Sequence, residues 1–362
     1  LEQEAKELLQ KWEQGDKEVI ALWKKMNKWA FDGFKETYKK FGVKPDKEYY
    51  ESQTYEKGKS IVVDGLKKGL FEKDETGAIV ADLEKEGYGK KVMLRSDGTS
   101  VYITQDLCTA KTRYDDFKFD KSIYVVANEQ NYHFKVLFEV LKKLGFPFWN
   151  KLYHFSYGMV NLTSGKMKSR EGTVVDADNL IDDMTNLAKK STKEKHKDLS
   201  DKEILNRANE IAMAAIRFYL LKHDPVKDML FDPEKSISFE GETGPYLQYT
   251  YARINSIIAK YKGDVGDKVD SILLVEKEEL ELVKMLANFE EIVKNVGVNY
   301  KIHSLTRYLL DLAQAFNNFY HNYPVLKAEE ELMKSRILLI SSVKQVIKNG
   351  LNLLGIKVLE RM

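Results

Sequence analysis

Between Val92 and Leu144 short apolar runs alternate with stretches of helical period, and this alternation restricts the fold more than any other feature of the chain. Ser122 to Ala127 reads as a strand, and the segment after it sets Val136, Leu137, Val140, Leu141 and Leu144 on one side of a helix. Such strand and helix units build parallel sheets, because parallel neighbours need a crossover long enough to hold a helix. Tyr153 to Val160 is expected to be a further strand, and a helix is expected near Asp178 to Lys189. Past Ser200 the period changes to that of helices alone. Blocks at Ser200 to His223, from Thr243 onward, Glu276 to Asn295, Ile302 to Asn318 and Ala328 to Lys348 predict a helical bundle. Thr243 is placed to cap its helix, with Pro245 in the first turn.

With 362 residues the chain exceeds one ordinary core, so two or three domains are expected. Residues 1 to about 42 repeat Leu8, Leu9, Trp12, Val19, Leu22, Trp23, Met26, Ala30, Phe34 and Tyr38 at helical spacing. That stripe reads as packed core, with base stacking on Trp12, Trp23 and Trp29 as the alternative. Tyr49 to Leu83 reads as a short helix around Ser60 to Lys68 followed by a hairpin turned at Thr76 and Gly77. Net charge is only +2, yet the 58 basic residues are clustered, so a polyanion would meet local patches. No run approaches the about 20 apolar residues of a membrane span. The lone Cys108 excludes an internal disulfide or a cysteine-rich zinc site, and is expected to be a small buried apolar residue. No cluster with metal-ligand spacing stands out.

Two constellations carry chemistry. In the first, the apolar run Val101, Tyr102, Ile103 passes through Thr104 into a helical pattern, so Tyr102 and Asp106, four apart, share a face near the helix start. Gln130 follows the strand ending at Ala127, and ligands of open α/β sheets bind beyond the carboxyl ends of parallel strands. A carboxylate, a phenol and an amide gathered there suit a planar cation such as a guanidinium. Alternatively, Asp106 merely favours a helix start and Tyr102 fills core. His133, a few residues on, is either a pocket lining or a structural hydrogen-bonder. In the second constellation, Lys166, Lys168, Ser169 and Arg170 lie between Gly165 and Gly172, a composition suited to clamping a triphosphate or, alternatively, to an exposed basic loop.

The runs D-G-T-S-V-Y-I-T-Q-D and I-Y-V-V-A-N-E-Q-N-Y-H-F, at this distance from one another, resemble the arginine-binding segment of the arginyl-tRNA synthetases, a class I aminoacyl-tRNA synthetase family. The resemblance runs the length of the chain and implies that Tyr102, Asp106 and Gln130 hold the arginine substrate. K-M-K-S-R resembles the K-M-S-K-S loop of that class, with Ser169 where the consensus has lysine; it implies that Lys166, Lys168, Ser169 and Arg170 act on the leaving pyrophosphate. ATP would be bound by His133, Met159, Val160, Lys166 and Lys168, with magnesium accompanying it. The segments G-P-Y-L-Q-Y-T-Y-A-R-I and F-N-N-F-Y-H-N-Y-P resemble the family's anticodon-binding domain, implying tRNA contacts by Tyr246, Tyr320 and Met362; the alternative for the tyrosines is buried core of the bundle.

The implied architecture is α/β plus all-α. Residues 1–88 would be an inserted connective region, 89–190 the second half of a Rossmann-type catalytic fold, 191–240 a helical connector and 241–362 the anticodon-binding bundle. The sequence has no H-x-G-H motif, which in this class belongs to the first half of the nucleotide fold, and it starts at Leu1. The expectation is therefore a carboxyl-terminal portion, inactive alone, of a monomeric cytoplasmic arginine-tRNA ligase. The alternative is a non-catalytic tRNA-binding or assembly fragment.

Overall fold

The computed structural model describes residues 2–162, 176–196, 198–261, 263 and 271–362, and opens with helices α1 (Glu2–Glu13) and α2 (Lys17–Phe41). Asp16 starts α2, its carboxylate accepting the backbone N–H groups of Glu18 and Val19 at 3.0 Å each. The expectation that this amino-terminal stripe is core is not met. No residue of α2 is buried, and Leu8, Trp12, Leu22, Trp23, Met26, Phe34 and Tyr38 are all exposed, as is Trp29 at 61%. The periodicity did mark an apolar face, which stays largely exposed, with Trp12 of α1 edge-on to Trp23 of α2.

Helix α3 (Glu51–Lys67) leads into β1 (Glu72–Lys73), β2 (Ile79–Leu83) and β3 (Gly89–Leu94). The expected hairpin is present: Asp74 accepts from the N–H groups of Thr76 and Ala78 at 2.9 and 3.0 Å, and Gly77 turns the chain at φ 87°. Val92, expected to open the parallel region, instead pairs with Val80, and Gly89 pairs with Leu83, in an antiparallel sheet ordered β1-β2-β3. The connection between β2 and β3 is only a tight turn, which permits antiparallel pairing alone. One hydrophobic cluster, including Val62, Leu83, Met93, Leu107, Leu137 and Phe148, runs from α3 through this sheet and on past residue 88.

Helix α4 (Tyr102–Phe117) begins earlier than the apolar run suggested. Val101 is its cap, with the Val101 N–H donating to the Thr104 hydroxyl at 3.1 Å while that hydroxyl donates to the Met93 carbonyl. A polar side chain therefore turns Tyr102 and Ile103 into helix and ties the helix start to β3. Cys108 is buried on α4, as its apolar character required. Next come β4 (Ser122–Ala127), α5 (Asn131–Lys143) and β5 (Leu152–Tyr157), and β4 and β5 pair in parallel from Ser122 with Leu152 to Ala127 with Tyr157. This is the strand, helix and strand unit the alternation predicted.

The expected single strand to Val160 is interrupted at Gly158. There the Gly158 N–H donates to the Pro225 carbonyl and the Met159 N–H to Asp228, each at 2.7 Å, so the backbone exchanges its β4 partners for another segment. A Cβ on Gly158 would lie 2.3 Å from the Lys227 carbonyl carbon, so only glycine permits this approach. Strand β6 (Val160–Leu162) then pairs in parallel with β7 (Met229–Phe231). Between them lie α6 (Ala177–Lys195) and α7 (Asp201–Leu221), the latter opened by a reciprocal Ser200 and Glu203 capping box.

A single turn, α8 (Pro233–Ser236), precedes the bundle of α9 (Gly244–Lys260), α10 (Lys277–Asn299), α11 (Ile302–Asn322) and α12 (Glu330–Leu353). Thr243 caps α9 as expected, accepting the Tyr246 N–H at 3.1 Å. The largest hydrophobic cluster fills this bundle with Leu247, Ile254, Leu309, Phe316, Ile340 and Leu351, and reaches Ala214 and Phe218 of α7. Within it the Arg336 guanidinium donates to Glu279 at 2.7 Å, with both side chains over nine-tenths buried.

Candidate functional site

The site rests on the starts of two helices that follow two strands. Asp106 lies one turn after Tyr102 on α4, and Gln130 immediately precedes α5, beyond the carboxyl end of β4. Tyr102 is 79% exposed and Gln130 is exposed, so neither fills core. The alternative that Tyr102 is a packing residue therefore falls. Asp106 sits on the helix's second turn and is not its cap.

The contact that joins the two helix starts is between Asp106 and His133. His133 Nε2 lies 2.6 Å from Asp106 Oδ2, with the two side chains 25% and 40% exposed. His133 was expected to line an ATP pocket or to be a structural hydrogen-bonder, and the recorded contact is this hydrogen bond to the carboxylate. Nearby, the Arg113 guanidinium lies 5.4 Å from the Tyr124 ring centre and 5.7 Å from that of Tyr49. Burial pushes the Tyr124 hydroxyl above the usual phenol range, so it stays protonated.

Met159 and Val160 sit where the backbone passes from β5 to β6, at the same edge of the parallel strands as Gln130, with Met159 exposed. The proposed phosphate-clamping residues Lys166, Lys168, Ser169 and Arg170 lie outside the described residues.

A second constellation is on the bundle. Asn317 donates to the Tyr246 hydroxyl at 2.9 Å, Arg253 donates to Asn317 at 3.0 Å, and the Arg253 guanidinium lies 5.1 Å from the Tyr320 ring centre. The two tyrosines singled out from the sequence are thus joined through two residues that were not. Tyr246 and Arg253 are seven apart on α9, a spacing that could have revealed the shared face. Met362 is apart from this network, in a small pocket with Thr192, His196, Arg207, Ile211, Phe239 and Tyr249. The tail bearing it is fastened along α9: Gln248 donates to the Lys357 carbonyl at 2.7 Å and Tyr251 to Glu360 at 3.1 Å.

A parallel sheet edge with exposed polar side chains, followed by a helical bundle in which Tyr246 and Tyr320 lie half-buried against the core, matches known proteins throughout. The family described as "tRNA synthetases class I (R), catalytic domain" matches residues 1–233, and the "DALR anticodon binding domain" matches residues 247–362. The arginine-tRNA ligase of Parabacteroides distasonis is 48% identical over 365 residues, covering 99% of this chain and 61% of that protein. Among solved structures, the arginyl-tRNA synthetase of Plasmodium falciparum superposes with a TM-score of 0.84 at 26% identity, over 100% of this chain and 62% of that one. The Thermus thermophilus arginyl-tRNA synthetase gives 0.81 at 25% identity, over 98% and 68%. The fold is thus that of a class I aminoacyl-tRNA synthetase catalytic domain joined to a helical anticodon-binding domain. Within that class, the chain belongs to the arginyl family, and it spans about 61% of the length of the curated relatives it matches.

Proposed function

We propose that this chain serves the ligation of arginine to its tRNA, contributing the arginine pocket, the phosphate-clamping loop and the anticodon-binding surface. The observation that carries this reading is the half-exposed Asp106 carboxylate, set between Tyr102 and the β4 edge in a chain 48% identical to arginine-tRNA ligases. A carboxylate accepts a forked pair of hydrogen bonds from a guanidinium, and the Tyr102 hydroxyl and Gln130 amide orient the rest of the amino acid.

In the reaction an α-carboxylate oxygen of arginine attacks the α-phosphorus of ATP and pyrophosphate leaves. A hydroxyl of the tRNA's terminal ribose then attacks the acyl carbon and AMP leaves. The protein forms no bond to either substrate, so its contribution is positioning and charge stabilisation. Lys166, Lys168 and Arg170 offset charge growing on the pyrophosphate, with Ser169 as a further hydrogen-bonding group, while His133, Met159 and Val160 border the nucleotide. Magnesium enters with ATP as part of the substrate. Tyr246, Tyr320 and Met362 contact the anticodon loop, whose unstacked bases suit aromatic neighbours. The division into segments 1–88, 89–190, 191–240 and 241–362, a monomeric state and a cytoplasmic location belong to the same reading.

Asp106→Asn tests it. The substitution should weaken arginine binding by about 2 to 5 kcal/mol and leave ATP binding unchanged, as measured by calorimetry. Unchanged arginine affinity would remove Asp106 from the pocket.

A further inference from the structure

A surface carboxylate is a poor receptor for a planar cation unless something fixes its plane. The terminal torsion of aspartate is broad, and ordering it on binding opposes association. Asp106, with its side chain 40% exposed, would be such a receptor but for His133 Nε2 at 2.6 Å from Oδ2.

His133 is itself held. Its ring stands perpendicular to the buried Phe134 ring with centres 5.5 Å apart, and Phe134 lies 4.4 Å from the ring of His154 on β5. His154 Nε2 is in turn 2.9 Å from the Val126 carbonyl of β4. The imidazole is thus backed by rings rooted in the parallel strand pair. A carboxylate offers about four lone-pair sites, and a forked guanidinium takes two. His133 occupies one on Oδ2 and leaves enough for the fork.

We propose that His133 is a positioning residue for arginine selection: its Nε2–H donates to Asp106 Oδ2 and presets the carboxylate plane for a flat two-pronged cation in preference to a point-like ammonium. This rests on the proposed arginine pocket and goes further, since it names what orients the carboxylate. A guanidinium demands that plane whereas an ammonium does not, so loss of the hydrogen bond should harm arginine binding more than lysine binding.

The test is calorimetry of arginine and of lysine on the chain and on three variants, with thermal melts to confirm folding. His133→Met keeps volume and removes the donor. His133→Gln keeps an N–H near the Nε2 position. Asp106→Asn is the control on the pocket itself. His133→Met should bind arginine roughly tenfold or more weakly, the scale of a hydrogen bond to a charged group, with lysine affinity little changed. His133→Gln should stay within about threefold of the parent protein, because the donor is retained. Equal losses in His133→Met and His133→Gln would make the residue a packing element and overturn the proposal. Unchanged arginine affinity in His133→Met, with a loss in Asp106→Asn, would overturn it while leaving the pocket intact. No loss in Asp106→Asn would overturn the pocket and this proposal together.

Discussion

Helices α2 and α11 are both long and both carry aromatic and aliphatic residues at helical spacing, yet they differ completely in burial. α11 buries Leu305, Tyr308, Leu309, Leu312, Phe316 and Phe319 among the bundle helices, whereas α2 buries nothing. The lesson is that amphipathic period reports a face that gains from cover and does not report whether cover is supplied. α11 has α9, α10 and α12 around it; α2 has Trp12 of α1 against Trp23, and contacts near its carboxyl end. Those end contacts are mixed: Thr37 and Lys40 both reach Asp178 of α6, at 2.7 and 2.8 Å, Arg217 of α7 donates to the Phe41 carbonyl, and the partly buried Phe41 side chain packs against the cluster of Ile181, Met213 and Ile216. The Lys40 ammonium beside Asp178 holds that carboxyl below the usual range, although the two side chains are 40% and 34% exposed and a pair so open to solvent adds little stability.

This contrast can be broken experimentally. The largest effect should come from Phe316→Ala, which empties a fully buried site and should cost about 3 to 5 kcal/mol in chemical denaturation. A loss as small as that of a surface substitution would mean that the bundle is far looser than its packing implies. Next is a functional form of the same contrast. Tyr320→Ala, beside Arg253, should lower affinity for the cognate tRNA by about 1 to 3 kcal/mol, with a smaller loss for a tRNA of altered anticodon. Equal losses for the two would assign Tyr320 to support of the bundle.

A smaller effect concerns pH. Burial pushes the Tyr308 hydroxyl up to about 12, and it donates to the Met285 carbonyl at 2.8 Å. An ordinary tyrosine titrates near 10, so its folded pKa is the raised one. The stability this supplies is complete below about pH 10 and is lost as pH climbs toward 12. Tyr308→Phe should flatten that alkaline decline, and an unaltered slope would show that other groups cause it. The smallest effect belongs to Trp29→Ala, at an exposed position on α2, which should change stability by less than about 0.5 kcal/mol. A cost comparable to that of Phe316→Ala would show that the α2 face is covered in solution.

By itself, the sequence determined those features whose physics is local. Thr76 with Gly77 marked the hairpin turn, Thr243 with Pro245 specified the start of α9, and the one-sided spacing of Val136, Leu137, Val140 and Leu141 specified the crossover helix between two parallel strands. Each depends on groups within a few residues, so each could be read before any contact was known. The positions of Tyr102, Asp106 and Gln130 at helix starts were legible for the same reason. Only the tertiary structure decided that Asp106 meets His133, 27 positions away, that Glu279 meets Arg336, 57 positions away, and that Tyr246 and Tyr320 are joined through Asn317 and Arg253. It also placed β3 beside β2 instead of in the parallel sheet, and left the apolar face of α2 largely exposed. Those outcomes depend on which surfaces the folded chain brings together, whereas period and spacing record only the preferences each segment carries.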